Sequence, residues 1–189
     1  MENKIISIFP TALMLVDMSN HPCKETALEI IQNTKIKNHK LLDNGNSSFD
    51  TNQILDHPRL SKLKEDIMYN INQYTTTTGY LPLKIANNWF NIMDTNGVVT
   101  PHRHEASVLS GAYYINAPEG SSNLHFTSPL KPYRMNDLFT RDTSFNEYYH
   151  SIPCVEDLLI IFPSWLEHYT DKNNNNSRTV ISFNTERYS

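Results

Sequence analysis

The apolar positions change period near residue 80. Before it, two stretches repeat at helical spacing. Cys23, Ala27, Ile30 and Ile31 share one side of a short helix that Ser19 or Asn20 and then Pro22 would open, ending near residue 33. Leu60, Leu63, Ile67, Ile71 and Tyr74 form a longer stripe. Asp56 is its expected cap, and Pro58 sits in the first turn, where no backbone donor is missed. The threonines at 75–78 and then Gly79 are its expected stop. Ahead of both, residues 4–16 alternate roughly as strands do, and residues 34–54 read as a polar loop with a turn at Asn44-Gly45. After residue 80 the spacing predicts strands over 85–93, 107–116, 122–127, 157–162 and 178–184, punctuated by turns at 96–97, 118–120 and 172–177. Residues 128–153 keep neither period. Five aromatic residues there (Tyr133, Phe139, Phe145, Tyr148 and Tyr149) argue for a lid or substrate-facing loop rather than disorder.

Helices followed by many strands give an α+β chain, mainly β, with a sandwich or barrel in its second half. No repeat or linker divides the 189 residues, so we expect one domain, with 1–80 supporting a core over 81–189. A net charge of −4 gives no ground for expecting a nucleic acid or an anionic membrane as partner. No stretch approaches the length of a membrane span, and the N-terminal stretch has no leader-like apolar core. Cys23 and Cys154 show no framework spacing, so no disulfide is expected, and two free thiols suit the reducing cytoplasm.

The candidate chemistry lies in two separated blocks. In "PHRHEASVLSGAYYI", residues 101–115, His102 and His104 stand two apart, a spacing that points both imidazoles to one side of an extended chain. Alone, such a pair is common and equally consistent with a solvated surface. In "LLIIFPSWLEHYTDKNNNNSRTVISFN", residues 158–184, an apolar strand ends at Pro163, His168 follows, and Arg178 opens the next strand. Arginine offers a planar fork suited to a carboxylate. Two near histidines, a distant third and an inward arginine together specify more than any one of them. The other histidines, at 21, 39, 57, 125 and 150, read as surface or packing residues, with His125 nearest the candidate strands.

These blocks, with IFPT at 8–11 and the Trp89-x-Asn91 pair, resemble the Fe(II)- and 2-oxoglutarate-dependent oxygenases, and within them the small 2OG-Fe(II) oxygenase family of bacteria and their phages. The resemblance implies a double-stranded β-helix, a squashed jelly-roll barrel with N-terminal helices packed on it. It also implies Fe(II), 2-oxoglutarate and O2 as cofactor and cosubstrates. By position, His102, His104 and His168 would be the metal ligands, with His104 where the superfamily carries a carboxylate. Arg178 would grip the far carboxylate of 2-oxoglutarate, with Tyr114, Ser110 and Ser182 beside it. Glu105 is adjacent, but a regular strand turns it to the opposite face. The position two after the arginine, often a hydroxyl in the superfamily, is Val180.

The resemblance further implies a hydroxylase of a small molecule or peptide, and is compatible with a homodimer. Two other readings stay open on the sequence: a cupin-like metal-binding protein, and a non-catalytic binding module on the same barrel. Against the cupin stand the missing glutamate after the histidine pair, where Val108 and Leu109 lie, and Arg178, for which a cupin has no use.

Overall fold

The computed structural model describes residues 2–51, 53–134 and 138–188, so residues 135–137 of the segment expected to be a lid lie outside the described residues. The strands are β1 (Met14–Asp17), β2 (Lys37–Asn38), β3 (Leu42–Ser47), β4 (Leu83–Val99), β5 (Leu109–Asn116), β6 (Leu124–Thr127), β7 (Tyr149–Ile152), β8 (Leu158–Pro163), β9 (His168–Thr170) and β10 (Arg178–Arg187). The helices are α1 (Lys24–Gln32) and α2 (Ser61–Thr78). Seven strands form one sheet in the order β1-β8-β5-β10-β4-β3-β2, and three form a second, β7-β6-β9. All described pairings are antiparallel. The two sheets face one another as a double-stranded β-helix.

Strand alternation sorts side chains between two apolar cores. On β5, Leu109, Tyr113 and Ile115 face the helices, while Ala112 and Tyr114 face the second sheet. On β8, Leu159 and Ile161 take the helix side, and Ile160 and Phe162 the interior. Thr179, Ile181 and Phe183 are buried on β10 at one parity, with Arg178 and Val180 buried at the other. The stripe Leu60, Leu63, Ile67, Ile71 and Tyr74 is buried throughout and covers the outer face of the large sheet. Gly111 permits a close approach there, because a Cβ would meet the Phe183 ring at 2.1 Å.

Several element expectations are corrected. The N-terminal strand shrinks to β1, and Ile5, Ile6, Ile8 and Phe9 are exposed. The polar stretch 34–54 is not all loop, since β2 and β3 extend the large sheet. Asn44-Gly45 lies inside β3, and Asn96-Gly97 inside β4. Asp43 pairs with Val98 and Gly45 with Met93, so residues 94–97 bulge out against Asn44. Asn44 and Asn96 supply the positive φ values, 48° and 63°, that this bulge needs. The four threonines continue α2 rather than ending it, and Gly79, at φ 79°, closes the helix in the left-handed conformation. Asp56 caps nothing. It ends a 3-10 turn, and the His57 ring instead accepts the Arg59 backbone N–H. Both cysteines are free and buried. No helix among the described residues is long and apolar enough to cross a membrane.

Candidate metal and cosubstrate site

His102 follows Pro101 beyond the end of β4. It exchanges both backbone hydrogen bonds with His168, each 3.1 Å, at the mouth of the barrel. His104 N–H donates to the Ser164 carbonyl at 3.0 Å, so residues 102–104 run on as an extended segment with both rings on one side. His168 opens β9 after the turn that follows Pro163, opposite Phe126 on β6. The sequence-distant rings therefore converge. Their centroids are 4.3 to 5.2 Å apart, and one ligand atom from each lies within 4.8 Å of the others.

Two of the rings have their tautomer fixed. His102 Nδ1 lies 2.8 Å from the Thr100 carbonyl, and His168 Nδ1 2.9 Å from that of Leu166. A carbonyl only accepts, so each Nδ1 carries the proton and each Nε2 keeps its lone pair. Burial lowers the pKa of His102, and lowers that of His104 to about 4, with neighbouring His102 adding to the effect. Burial, then His102, pushes His168 down to about 3. Phe162 and Phe126 enclose His168, with ring centroids at 4.7 and 6.3 Å. At neutral pH the cluster is three uncharged nitrogen donors, a set suited to a borderline divalent metal ion. Glu105 is exposed and outside the cluster.

Arg178 is 2% exposed, on the barrel interior. Its Nη1 donates to the Ser122 carbonyl at 3.1 Å and to the Ser122 hydroxyl, and its guanidinium lies 5.7 Å from the Tyr114 ring centre. Nε has no partner, and among the described residues no carboxylate pairs with this cation. A buried cation with an unmet donor suits an anionic ligand, since burying it unpaired is costly. Tyr114 is buried in the same cluster as Cys154, and burial raises its pKa well above the usual value. Ser182 lines the same cavity. The Ser110 hydroxyl also reaches the cavity, but it donates to Asn184 Oδ1 at 2.7 Å and contacts Ser164 Oγ at 2.8 Å.

The cavity encloses about 270 Å³ and joins the three histidines to Arg178. Exposed Lys40 and Phe49 with half-buried His39 mark its mouth, and no described residue of 128–153 lines it. That segment instead borders a second cavity of about 850 Å³, with residues 6–11 and Trp165. Sequence reasoning missed His39, which lines the mouth rather than the plain surface. It also missed the structural role of Asn173. Fully buried, Asn173 accepts the Ser122 N–H at 3.2 Å and turns its amide to the carbonyls of Met93 and Asp94. It thereby fixes the loop that holds Arg178. His125 lies on the outer side of β6, 2.5 Å from Asp171 and 2.7 Å from Ser151, away from the cluster.

A family model described as "Putative 2OG-Fe(II) oxygenase" matches residues 87–184, which hold His102, His104, His168 and Arg178. No curated protein sequence matches the chain. Similar solved structures include a Pseudomonas putida prolyl-4-hydroxylase, with a TM-score of 0.63 at 10% identity, covering 94% of each chain. HygX from Streptomyces hygroscopicus, solved with nickel and 2-oxoglutarate bound, gives 0.62 at 9% identity, covering 93% of this chain and 82% of its own. A prolyl hydroxylase from Trichoplax adhaerens, in complex with a hypoxia inducible factor peptide fragment, gives 0.61 at 10% identity, covering 91% and 82%. At such identities these likenesses speak for the fold.

Proposed function

The chain belongs to this 2OG-Fe(II) oxygenase family, and on that premise we propose that it hydroxylates a small molecule or peptide, with His102, His104 and His168 holding Fe(II) and Arg178 holding 2-oxoglutarate. The observation that carries the residue assignment is one cavity with two poles. Three lone-pair donors gather at one end, and a buried guanidinium with an unmet N–H stands at the other.

Bound Fe(II) supplies the electrons that let O2 react with 2-oxoglutarate, which leaves as succinate and carbon dioxide while one oxygen atom enters a substrate C–H bond as hydroxyl. The remaining work falls to the chain. The carbonyls of Thr100 and Leu166 keep the Nε2 atoms of His102 and His168 deprotonated and oriented, the role of outer partners at many metal sites. His104 supplies a neutral donor where the wider superfamily has an anionic one. Arg178 pairs with the far carboxylate of the cosubstrate, and Ser122 steadies the guanidinium. Ser182 and Tyr114 shape that end of the cavity, while Ser110 braces β5 against β8 and β10 through Ser164 and Asn184. Phe126 and Phe162 keep water from His168. We read residues 1–80 as support for the barrel within one unit, working in a reducing compartment that keeps both buried thiols free.

The experiment is an assay for succinate from 2-oxoglutarate under air. The expected result is Fe(II)-dependent succinate, lost on chelation and in His168→Ala. Metal and 2-oxoglutarate binding with no succinate at all would favour the binding module. Metal binding indifferent to 2-oxoglutarate would favour the cupin-like reading.

A further inference from the structure

The charges and rings around the cavity narrow the substrate class. Among the described residues, no aspartate or glutamate lines it. If the oxygenase reading holds, the two positive charges of the metal meet the two negative charges of 2-oxoglutarate. Arg178 then leaves the loaded cavity with a net positive charge. A carboxylate in place of His104 would have cancelled it. At the mouth Lys40 adds another cation, and it has no ion-pair partner among the described residues. Beside it, the His39 ring accepts the Leu41 N–H at Nδ1, 3.3 Å away, which leaves Nε2–H as a donor. The lip thus offers donors and positive charge.

Between the lip and the histidine cluster runs a line of aromatic rings. His39 lies 5.3 Å from Phe49, Phe49 stands edge-on to Trp89 at 4.9 Å, and Trp89 is 6.1 Å from His104. Phe49 is 36% exposed, a large apolar surface left open at a cavity mouth. Such faces suit planar or ring-bearing ligands. The cavity, at about 270 Å³, is near the lower edge of small-ligand pockets, roughly 300–1,000 Å³. With 2-oxoglutarate taking part of it, the remaining space suits one ring-sized group.

We propose that the substrate is an anion carrying a ring, the ring lying along Phe49 and Trp89 and the negative group held at the lip by Lys40 and His39. This rests on the oxygenase reading for its charge balance.

The test is calorimetry on full-length protein loaded with Zn(II) and saturating 2-oxoglutarate, titrated with 3-phenylpropionate, the matching neutral 3-phenylpropanamide, and 3-phenylpropylamine. The acid should bind about 5-fold or more tighter than the amide, as a partly exposed charge pair allows, and the amine should bind weakest. Lys40→Glu should abolish the preference for the acid and improve the amine. Lys40 is exposed, and 2-oxoglutarate affinity measured on the same variant checks that its fold and cosubstrate site are intact. Equal binding of acid and amide, a preference for the amine, or an acid affinity unchanged in Lys40→Glu would overturn the inference. So would displacement of 2-oxoglutarate by the acid, which would put the acid on Arg178. Failure of 2-oxoglutarate to bind the Zn(II) protein would overturn the oxygenase reading itself. Normal cosubstrate binding without acid preference would overturn only the substrate class.

Discussion

His168 is the residue on which the proposed metal site turns, because it is the most buried of the three rings and ties the small sheet to the histidine pair. His168→Ala should lower divalent metal affinity by more than about 100-fold, beyond the 10–100-fold typical of outer-partner changes, with calorimetry as the check. Arg178→Met should leave metal binding in place and weaken 2-oxoglutarate by about 2–5 kcal/mol, the cost of breaking a buried charge pair. An unchanged cosubstrate constant would assign that role to another group. Burial raises the Cys154 thiol to about 11. It should resist iodoacetamide in the native protein at neutral pH and react after denaturation, as mass spectrometry would show. His102, His104, His168 and Arg178 were legible as candidates because chemistry limits which side chains bind metals and carboxylates. Asn173 and His39 were not. Asn173 acts through backbone carbonyls of a bulge that pairing creates, and His39 gains its place from a hairpin whose residues look like loop.

At the scale of elements, β5 and β10 are the frame. Their alternation sends Tyr114, Arg178 and Ser182 inward and Tyr113, Ile181 and Phe183 toward the helices. Gly111→Ala should cost about 1–3 kcal/mol, typical of overpacking, because the Phe183 ring it would strike is fully buried and has nowhere to turn. Urea unfolding measures this, and a stability within error of wild type would mean the β5–β10 contact is looser than described. Of the later strands, β4, β5, β6, β8 and β10 were readable because their apolar runs are bounded by turns, while the short β7 and β9 were missed. Strands β2 and β3 were not, since short polar strands owe their conformation to pairing with β4 rather than to their own side chains. The bulge over residues 94–97 shows the same limit. Asn-Gly pairs predict a chain reversal, and here they serve left-handed positions within strands that continue. The aromatic segment 128–153 was expected over the reacting centre, but its described residues border a different cavity, because aromatic content alone fixes no address.

For the whole molecule, site occupancy and stability are linked. Ligands that bind only the folded chain stabilise it by about 2.7 kcal/mol at 100 times their dissociation constant. At this chain length, metal plus 2-oxoglutarate should therefore raise Tm by roughly 5–10 °C, with no rise in His168→Ala. High pH should act the other way. Burial lifts Tyr74 to about 12, and Tyr113 and Tyr114 rise for the same reason, while in the unfolded chain tyrosines ionise near their ordinary value of about 10. Their contribution is thus fully present below pH 10 and is lost as pH climbs toward the folded-state values. Denaturant midpoints should fall steeply above pH 10. The central claim is that three distant imidazoles and one buried arginine make a single site for metal and cosubstrate. Its most direct test is an anaerobic titration of 2-oxoglutarate into the Fe(II)-loaded protein, followed by the visible charge-transfer band of the chelated cosubstrate. A band that saturates with added 2-oxoglutarate, vanishes in His168→Ala and needs far more cosubstrate in Arg178→Met is the predicted result. No band in the wild-type protein, or one indifferent to both substitutions, would contradict it.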